Sequence, residues 1–194
     1  MKIWIVLFVS FFSINLAAQN YGFTVGIPFI AEHLPEGRDY LPTKFIGQIE
    51  FPLRTKNRSV EETRWFICVE PQFNLVYLPV SERATNGATT AETDEIEFGA
   101  NAGIRYRLPL NPIWSIHAQI SAGPHYISRA YPGLQAGGYI FSDNFGIGSD
   151  IHLTPQIDLF LQTRFRHLSN AGLQEPNKGI DNWFLMLGTL IDIR

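Results

Sequence analysis

Bulky apolar residues alternate with small or polar ones along most of this chain. In residues 96–108, Ile96, Phe98 and Tyr106 share one parity. Glu97 and Arg105 share the other parity. A period of two is typical of β-strands, in which successive side chains point to opposite faces. Eight segments show this alternation, at about residues 21–30, 44–53, 63–78, 96–108, 113–127, 138–153, 156–168 and 182–193.

The predicted connections differ in length in a regular way. Those after the fourth and sixth strands, 109–112 and 154–155, are short turns. Those after the odd-numbered strands are longer and rich in Gly, Pro, Asn and acidic residues, while the connection 54–62 is intermediate. Short turns at one end and long loops at the other are typical of outer-membrane barrels, with the turns in the periplasm.

The composition of the polar face favours one of two all-β architectures. A soluble sandwich or a lipocalin-like barrel buries its apolar face, whereas a membrane barrel turns that face to lipid and fills its lumen with polar residues. Here Gly, Ser, Asn, Gln and His dominate the polar face. We therefore expect an eight-stranded antiparallel transmembrane β-barrel of the outer membrane. Opposite charges on this face are predicted to pair in the lumen, with Glu50, Glu70 and Asp158 facing Arg105, Arg107 and Arg164.

Aromatic residues on the apolar face support the membrane barrel. They lie near the ends of the predicted strands, where the girdles at the two membrane interfaces are found. These residues are Phe51, Trp65, Tyr77, Tyr106, Trp114, Tyr126 and Trp183.

The first nineteen residues differ from the rest. A basic Lys2 leads into an apolar run that ends in Ala17, Ala18 and Gln19. This pattern predicts a secretory signal peptide over residues 1–19 and a single barrel domain over residues 20–194. The alternative is an N-terminal membrane anchor, for which the run is short, since a spanning helix needs about 20 apolar residues.

Charge and cysteine content exclude several functions. The formal net charge is -3, which gives no basic surface for nucleic acid. Cys68 is the single cysteine, so no internal disulfide forms, and no Cys or His spacing indicates a metal site. The remaining histidines are predicted to be lumen or loop residues: His33, His117, His125 and His152.

A polar hairpin near the C-terminus carries three residues with catalytic potential. His167 and Ser169 continue the lipid-facing parity of the seventh predicted strand. Asp181 comes just before the eighth predicted strand and has the same parity as the apolar residues of that strand. With both termini in the periplasm, this hairpin lies on the extracellular rim. A Ser oxygen attacks an ester when a neighbouring His removes its proton and a carboxylate fixes the His tautomer. The alternative is a polar loop that happens to contain a His-x-Ser sequence.

The run from His167 to Gly172, followed by Pro176-Asn177, Gly179 and the acid at 181, resembles the C-terminal signature of the PagL-type lipid A 3-O-deacylases. The resemblance implies an eight-stranded outer-membrane barrel of a Gram-negative bacterium, with lipid A or lipopolysaccharide as substrate and the site toward the outer leaflet. It implies Ser169 as nucleophile, His167 as general base, and Asp181 where the family has Glu. It also implies an oxyanion hole at Asn170 and Gly172.

No cofactor or metal is implied by this resemblance, and a homodimer is left open. Two other functions stay open: a non-catalytic structural or adhesive barrel, and a phospholipid esterase with the same triad. Arg164 and Arg166 have lumen parity, so we expect them to be packing charges rather than phosphate ligands.

Overall fold

A computed structural model describes residues 20–35, 37–53, 64–78 and 95–193. These ranges form nine strands and no helix, and the eight predicted segments correspond to all strands except β2. The largest difference in bounds is at β3, which begins at Asp39 rather than at residue 44. The strands are β1 Asn20–Ile30, β2 Glu32–His33, β3 Asp39–Pro52, β4 Trp65–Tyr77, β5 Glu95–Pro109, β6 Trp114–Ile127, β7 Gly138–Thr154, β8 Ile157–Ser169 and β9 Ile180–Asp192.

Eight of these strands close into a barrel. Each pairs antiparallel with its neighbour along the chain, and β1 pairs with both β3 and β9, so the sheet closes on itself. Asn20 lies opposite Asp192 on one side and opposite Glu50 on the other. The short β2 pairs with the first residues of β3 and extends one end of the barrel. The expected eight-stranded antiparallel barrel is confirmed.

The outer face of the barrel is apolar, as the alternation predicted. Phe23, Ile120 and Leu187 each leave more than half of their surface uncovered by protein. Such exposure is stable only where lipid replaces water, since large apolar patches are rare on soluble monomers. Several predicted interfacial aromatics are exposed on this face: Trp65, Tyr77, Trp114 and Trp183.

The lumen is filled with paired charges. Arg164 donates to Glu70 at 2.8 Å, and Arg166 donates to Glu97 at 2.8 Å. Arg105 lies 3.3 Å from Glu50. All of these side chains are buried, so the prediction that Arg164 and Arg166 are packing charges is confirmed. Two of the histidines predicted to be lumen or loop residues, His117 and His125, are also buried in the lumen.

The two ends of the barrel differ. The start of β1, the end of β9 and the connections 110–113 and 155–156 lie at one end, which we call the turn end. The end of β1, the short β2 and the start of β3 lie at the opposite end, the loop end, together with the connections 128–137 and 170–179. A buried apolar cluster fills the lumen there, formed by Leu34, Tyr40, Val76, Leu78, Ile127, Tyr131, Leu134, Ile140, Leu168 and Ile180.

Tyr131 belongs to this cluster and comes from the 128–137 connection. Burial, together with the nearby Glu97 and Glu95, raises the pKa of its hydroxyl well above the usual range. The protonated hydroxyl donates to Glu95 at 3.0 Å, and its ring meets Tyr40 edge-on. The 128–137 connection is therefore held inside the mouth of the barrel.

Some predictions concern other residues. The signal peptide at residues 1–19 and the connection 54–62 lie outside the described residues, so both stay predictions. No helix in the described part of the chain has the length and apolarity needed to cross a membrane.

Candidate active site

His167 and Asp181 lie on the outer face at the loop end. They are directly opposite each other in the antiparallel pairing of β8 and β9. The His167 Nδ1–H donates to Asp181 Oδ1 over 2.6 Å, and the two side chains are 36% and 53% exposed. The structure thus brings together two of the three predicted triad residues. Because Nδ1 is held by the carboxylate, Nε2 is the ring nitrogen left for a substrate or a nucleophile.

Ser169 is the last residue of β8 and points to the same outer face as His167. Residues two apart on a strand lie about 6.6–6.8 Å from each other along one face. In the described part of the chain, no hydrogen bond joins the Ser169 hydroxyl to His167. Ser169 and His167 are therefore neighbours on the outer face, and the Ser169 hydroxyl would have to turn toward Nε2 to share a proton with the ring.

Gly179 shapes the place of the imidazole ring. Gly179 directly precedes Ile180, which pairs with Leu168, so it lies level with Ser169 on the β9 side of the hairpin. Its φ is 87°. A Cβ at this position would overlap Cε1 of His167 and lie 3.1 Å from Nε2. A glycine here therefore meets two needs: a left-handed backbone and room for the ring. The sequence indicates the first need but not the second.

The loop 170–179 is ordered by the side chain of Asn170. Its amide donates to the Gln174 carbonyl at 2.6 Å, and its oxygen accepts the Gly172 N–H at 3.0 Å. The backbone N–H of Asn170 donates to Asn177 Oδ1 at 2.8 Å. The two predicted oxyanion-hole residues therefore lie next to Ser169 and contact each other.

A second loop braces the first. The Ala136 N–H donates to the Pro176 carbonyl and the Lys178 N–H donates to the Leu134 carbonyl, both at 2.7 Å. These bonds join the 128–137 connection, which is anchored through Tyr131, to the loop of the site. The loop that follows Ser169 is therefore fixed on the side of β7 as well as within its own hairpin.

The sequence belongs to a known family, as its comparison with family models shows. A model described as Lipid A 3-O-deacylase (PagL) matches residues 53–189. The chain belongs to the PagL family. The matched range contains His167, Ser169, Asn170, Gly172 and Asp181. Among curated proteins, none matches the sequence significantly.

Several solved structures are similar to this PagL family member. The crystal structure of the outer membrane enzyme PagL has a TM-score of 0.54 and 16% identity, covering 87% of this chain and 97% of that one. Neisserial surface protein A has a TM-score of 0.46 and 10% identity, and the match covers 90% of this chain and 94% of that one. The attachment invasion locus protein Ail of Yersinia pestis has a TM-score of 0.42 and 13% identity, and the match covers 90% of this chain and 97% of that one.

Two acidic residues that lie close in space to His167 and Asp181 were not predicted from the sequence to belong to the site of this PagL-family chain. The Asp181 N–H donates to Glu32 Oε2 at 3.4 Å, at the point where β1 has left β9. Asp143 lies on the outer face of β7, directly opposite His167. The alternation along β7, in which Phe141 and Phe145 flank Asp143, contained the signal for its outward position.

The described part of this PagL-family chain offers no group of three or more His, Cys, Asp or Glu residues that could hold a metal ion. Its single cysteine, Cys68, is buried in the lumen. The groups that lie close together on the outer wall of the barrel are a serine, an imidazole and a carboxylate.

Proposed function

We propose that this protein is an outer-membrane esterase that removes the 3-O-linked acyl chain of lipid A, with Ser169, His167 and Asp181 as its catalytic residues. Membership of the PagL family gives the reaction class. The observation that carries the assignment of residues is the hydrogen bond between His167 and Asp181 on the outward face of β8 and β9. An imidazole held by a carboxylate and placed two residues from a serine has the parts of a serine-esterase site.

The first half of the reaction acylates the enzyme. His167 Nε2 accepts the proton of the Ser169 hydroxyl while Oγ attacks the ester carbonyl carbon. Asp181 stabilises the imidazolium that results. When the tetrahedral intermediate collapses, the bond to the sugar oxygen breaks, and His167 returns its proton to that oxygen. The 3-hydroxyl of the sugar is thereby freed.

The second half releases the acyl chain. A water molecule gives a proton to His167 and attacks the acyl carbonyl, after which Ser169 recovers its proton and a free fatty acid leaves. The negative oxygen formed in each half is stabilised by N–H donors at Asn170 and Gly172. For this the Asn170 amide exchanges its bond to the Gln174 carbonyl for one to the substrate oxygen, and the Gly172 N–H likewise exchanges its bond to Asn170 Oδ1.

The outward position of these residues suits a membrane substrate. We place the loop end at the outer surface of the cell, so that the site lies at the outer leaflet. Lipid A then reaches Ser169 sideways without leaving the bilayer. All three triad residues come from one chain, so this mechanism is complete in a monomer, whether or not the protein forms a homodimer.

Mass spectrometry of lipid A provides the test. Cells producing the wild-type protein should lose one hydroxyacyl chain from lipid A, and cells producing Ser169→Ala at the same level should not. Unchanged lipid A together with fatty acid released from phospholipids would favour the phospholipid esterase. If neither lipid changes while the barrel is folded, the protein is a non-catalytic surface barrel and the proposal is wrong.

A further inference from the structure

The carboxylates and the histidine on the outer face of β4 to β9 form a single row. On the outward faces of β4 to β9, which are fully described, every position is apolar, small or uncharged except for three. These three are Asp143, His167 and Asp181. They are consecutive in the sheet, since Asp143 pairs with His167 and His167 pairs with Asp181. Two members of this row belong to the proposed triad, and the third has no assigned role.

Asp143 is not explained by the packing of the barrel. Its side chain is exposed on a face where the neighbouring residues of β7, Phe141 and Phe145, point to lipid. Carboxylates on such a face reduce stability to an extent that depends on their depth in the membrane. Among the described residues, no hydrogen bond or ion pair involves the Asp143 side chain. A carboxylate kept at such a place without a structural partner points to a functional one.

The residue directly opposite Asp143 on β8 is His167. Side chains directly opposite each other on antiparallel strands have Cβ atoms about 4.5–5.5 Å apart. The Nδ1 side of the ring is turned to Asp181, which leaves Asp143 on the other flank. The imidazole therefore lies between two carboxylates, one hydrogen-bonded and one across the neighbouring strand.

The other charged groups around the site do not compete with this arrangement. On the β2 side, Glu32 contacts the backbone of Asp181. Within β8, Arg164 and Arg166 point into the lumen and are paired there with Glu70 and Glu97. In the loop 170–179, Glu175 and Lys178 are exposed. Among the described residues, neither side chain forms a hydrogen bond or an ion pair with His167.

We propose that Asp143 is a positioning residue for His167 that, with Asp181, stabilises the imidazolium formed when His167 takes the proton of Ser169. The inference rests on the proposed function, because it concerns the base of that reaction. Asp143 acts through His167 and does not need to touch the substrate. A negative charge within a few ångströms favours the protonated form of an imidazole.

The Asp143→Asn variant tests this proposal, since it keeps the size of the side chain and removes its charge. The acidic limb of the pH profile of kcat/KM should move to lower pH by about half a unit to one unit, because the protonated imidazole loses support. The rate at the plateau should fall by roughly 3- to 10-fold, through kcat rather than KM. The matched control is Glu175→Gln, which makes the same change of charge in the exposed loop and should leave both the limb and the plateau in place.

A measurement without turnover separates this proposal from the proposed function. The NMR titration midpoint of the His167 ring, assigned by the loss of its signals in His167→Ala, should fall by the same half to one unit in Asp143→Asn and stay in place in Glu175→Gln. If the midpoint moves but the wild-type protein cleaves no lipid, the esterase assignment fails and the electrostatic contact stands. An unmoved midpoint, or a raised KM with an unmoved acidic limb, would overturn the role given to Asp143.

Discussion

His167 and Asp181 face each other across β8 and β9, with 2.6 Å between Nδ1 and Oδ1. If Asp181 orients the ring and stabilises the imidazolium, its charge matters more than its length. We expect Asp181→Asn to lower kcat by an amount of the order of the 10⁴-fold loss known for the equivalent change in a Ser–His–Asp protease. Asp181→Glu restores the residue of the PagL-type signature and should stay within about one decade of wild type, or roughly 1–2 kcal/mol of barrier. Rates of lipid A deacylation by the purified variants measure both, and an Asp181→Asn variant as active as wild type would remove Asp181 from the triad.

Ser169→Ala and His167→Ala should each abolish hydrolysis. The nucleophile and its base act as one unit, so either loss should cost about three orders of magnitude or more in kcat. Both side chains lie at the edge of the sheet and outside the lumen network, so the barrel should still fold and migrate faster in gels when unheated. More than a few per cent of wild-type activity in Ser169→Ala would exclude the serine mechanism.

Gly179→Ala should lower activity by about 10- to 100-fold, because the added methyl group displaces the His167 ring from its position. Gly133→Ala is the matched control. Gly133 has a similarly positive φ of 73°, but an added Cβ there meets no atom within 4 Å. Both variants carry the same kind of backbone strain, so similar losses of stability with unequal losses of kcat are expected. Equal losses of kcat would show that the space beside the ring is unimportant.

Arg164→Met should destabilise the barrel by about 3–5 kcal/mol in urea unfolding from lipid vesicles, because it leaves the buried Glu70 without its partner. Gln119 and Ser121 donate to Glu70 at 2.8 and 2.7 Å, but neither carries a charge. The double variant Arg164→Met with Glu70→Gln removes the charge as well and should recover most of the loss. A cost below about 1 kcal/mol for the single variant would contradict the importance of this ion pair.

Chelation of divalent cations should leave the rate of the purified enzyme in detergent unchanged. The proposed chemistry uses a serine, an imidazole and a carboxylate, and none of these steps needs a metal ion. Rates with and without EDTA, on a substrate whose aggregation state is checked in both samples, provide the measurement. Loss of activity that returns with added Ca²⁺ or Mg²⁺ would require a different mechanism.

The sequence predicted the parts of this structure that depend on local pattern. A period of two assigns each side chain to a face without knowledge of the fold, so the outward position of His167 and Ser169 and the inward position of Arg164 follow directly. The pairing of His167 with Asp181 was also accessible, because β8 and β9 form one hairpin. The parity of the two strands of this hairpin was therefore enough to predict that His167 and Asp181 lie on the same face.

Other relationships needed the structure because they join residues through space. Asp143 is far from the PagL-type signature in the sequence, and only the register of β7 against β8 puts it beside His167. The brace between Leu134 and Lys178 joins two loops whose paths no periodicity specifies. The contact of Gly179 with the imidazole depends on a side-chain rotamer, which the sequence does not encode in any simple pattern.

The apolar cluster at the loop end and the paired charges beneath it occupy the interior that a porin keeps open to water. A cell can therefore raise the number of copies of this protein without admitting more small solutes, such as hydrophilic antibiotics, through its outer membrane. Under the proposed function, remodelling of the surface lipid and the permeability of the envelope are in this way independent of each other.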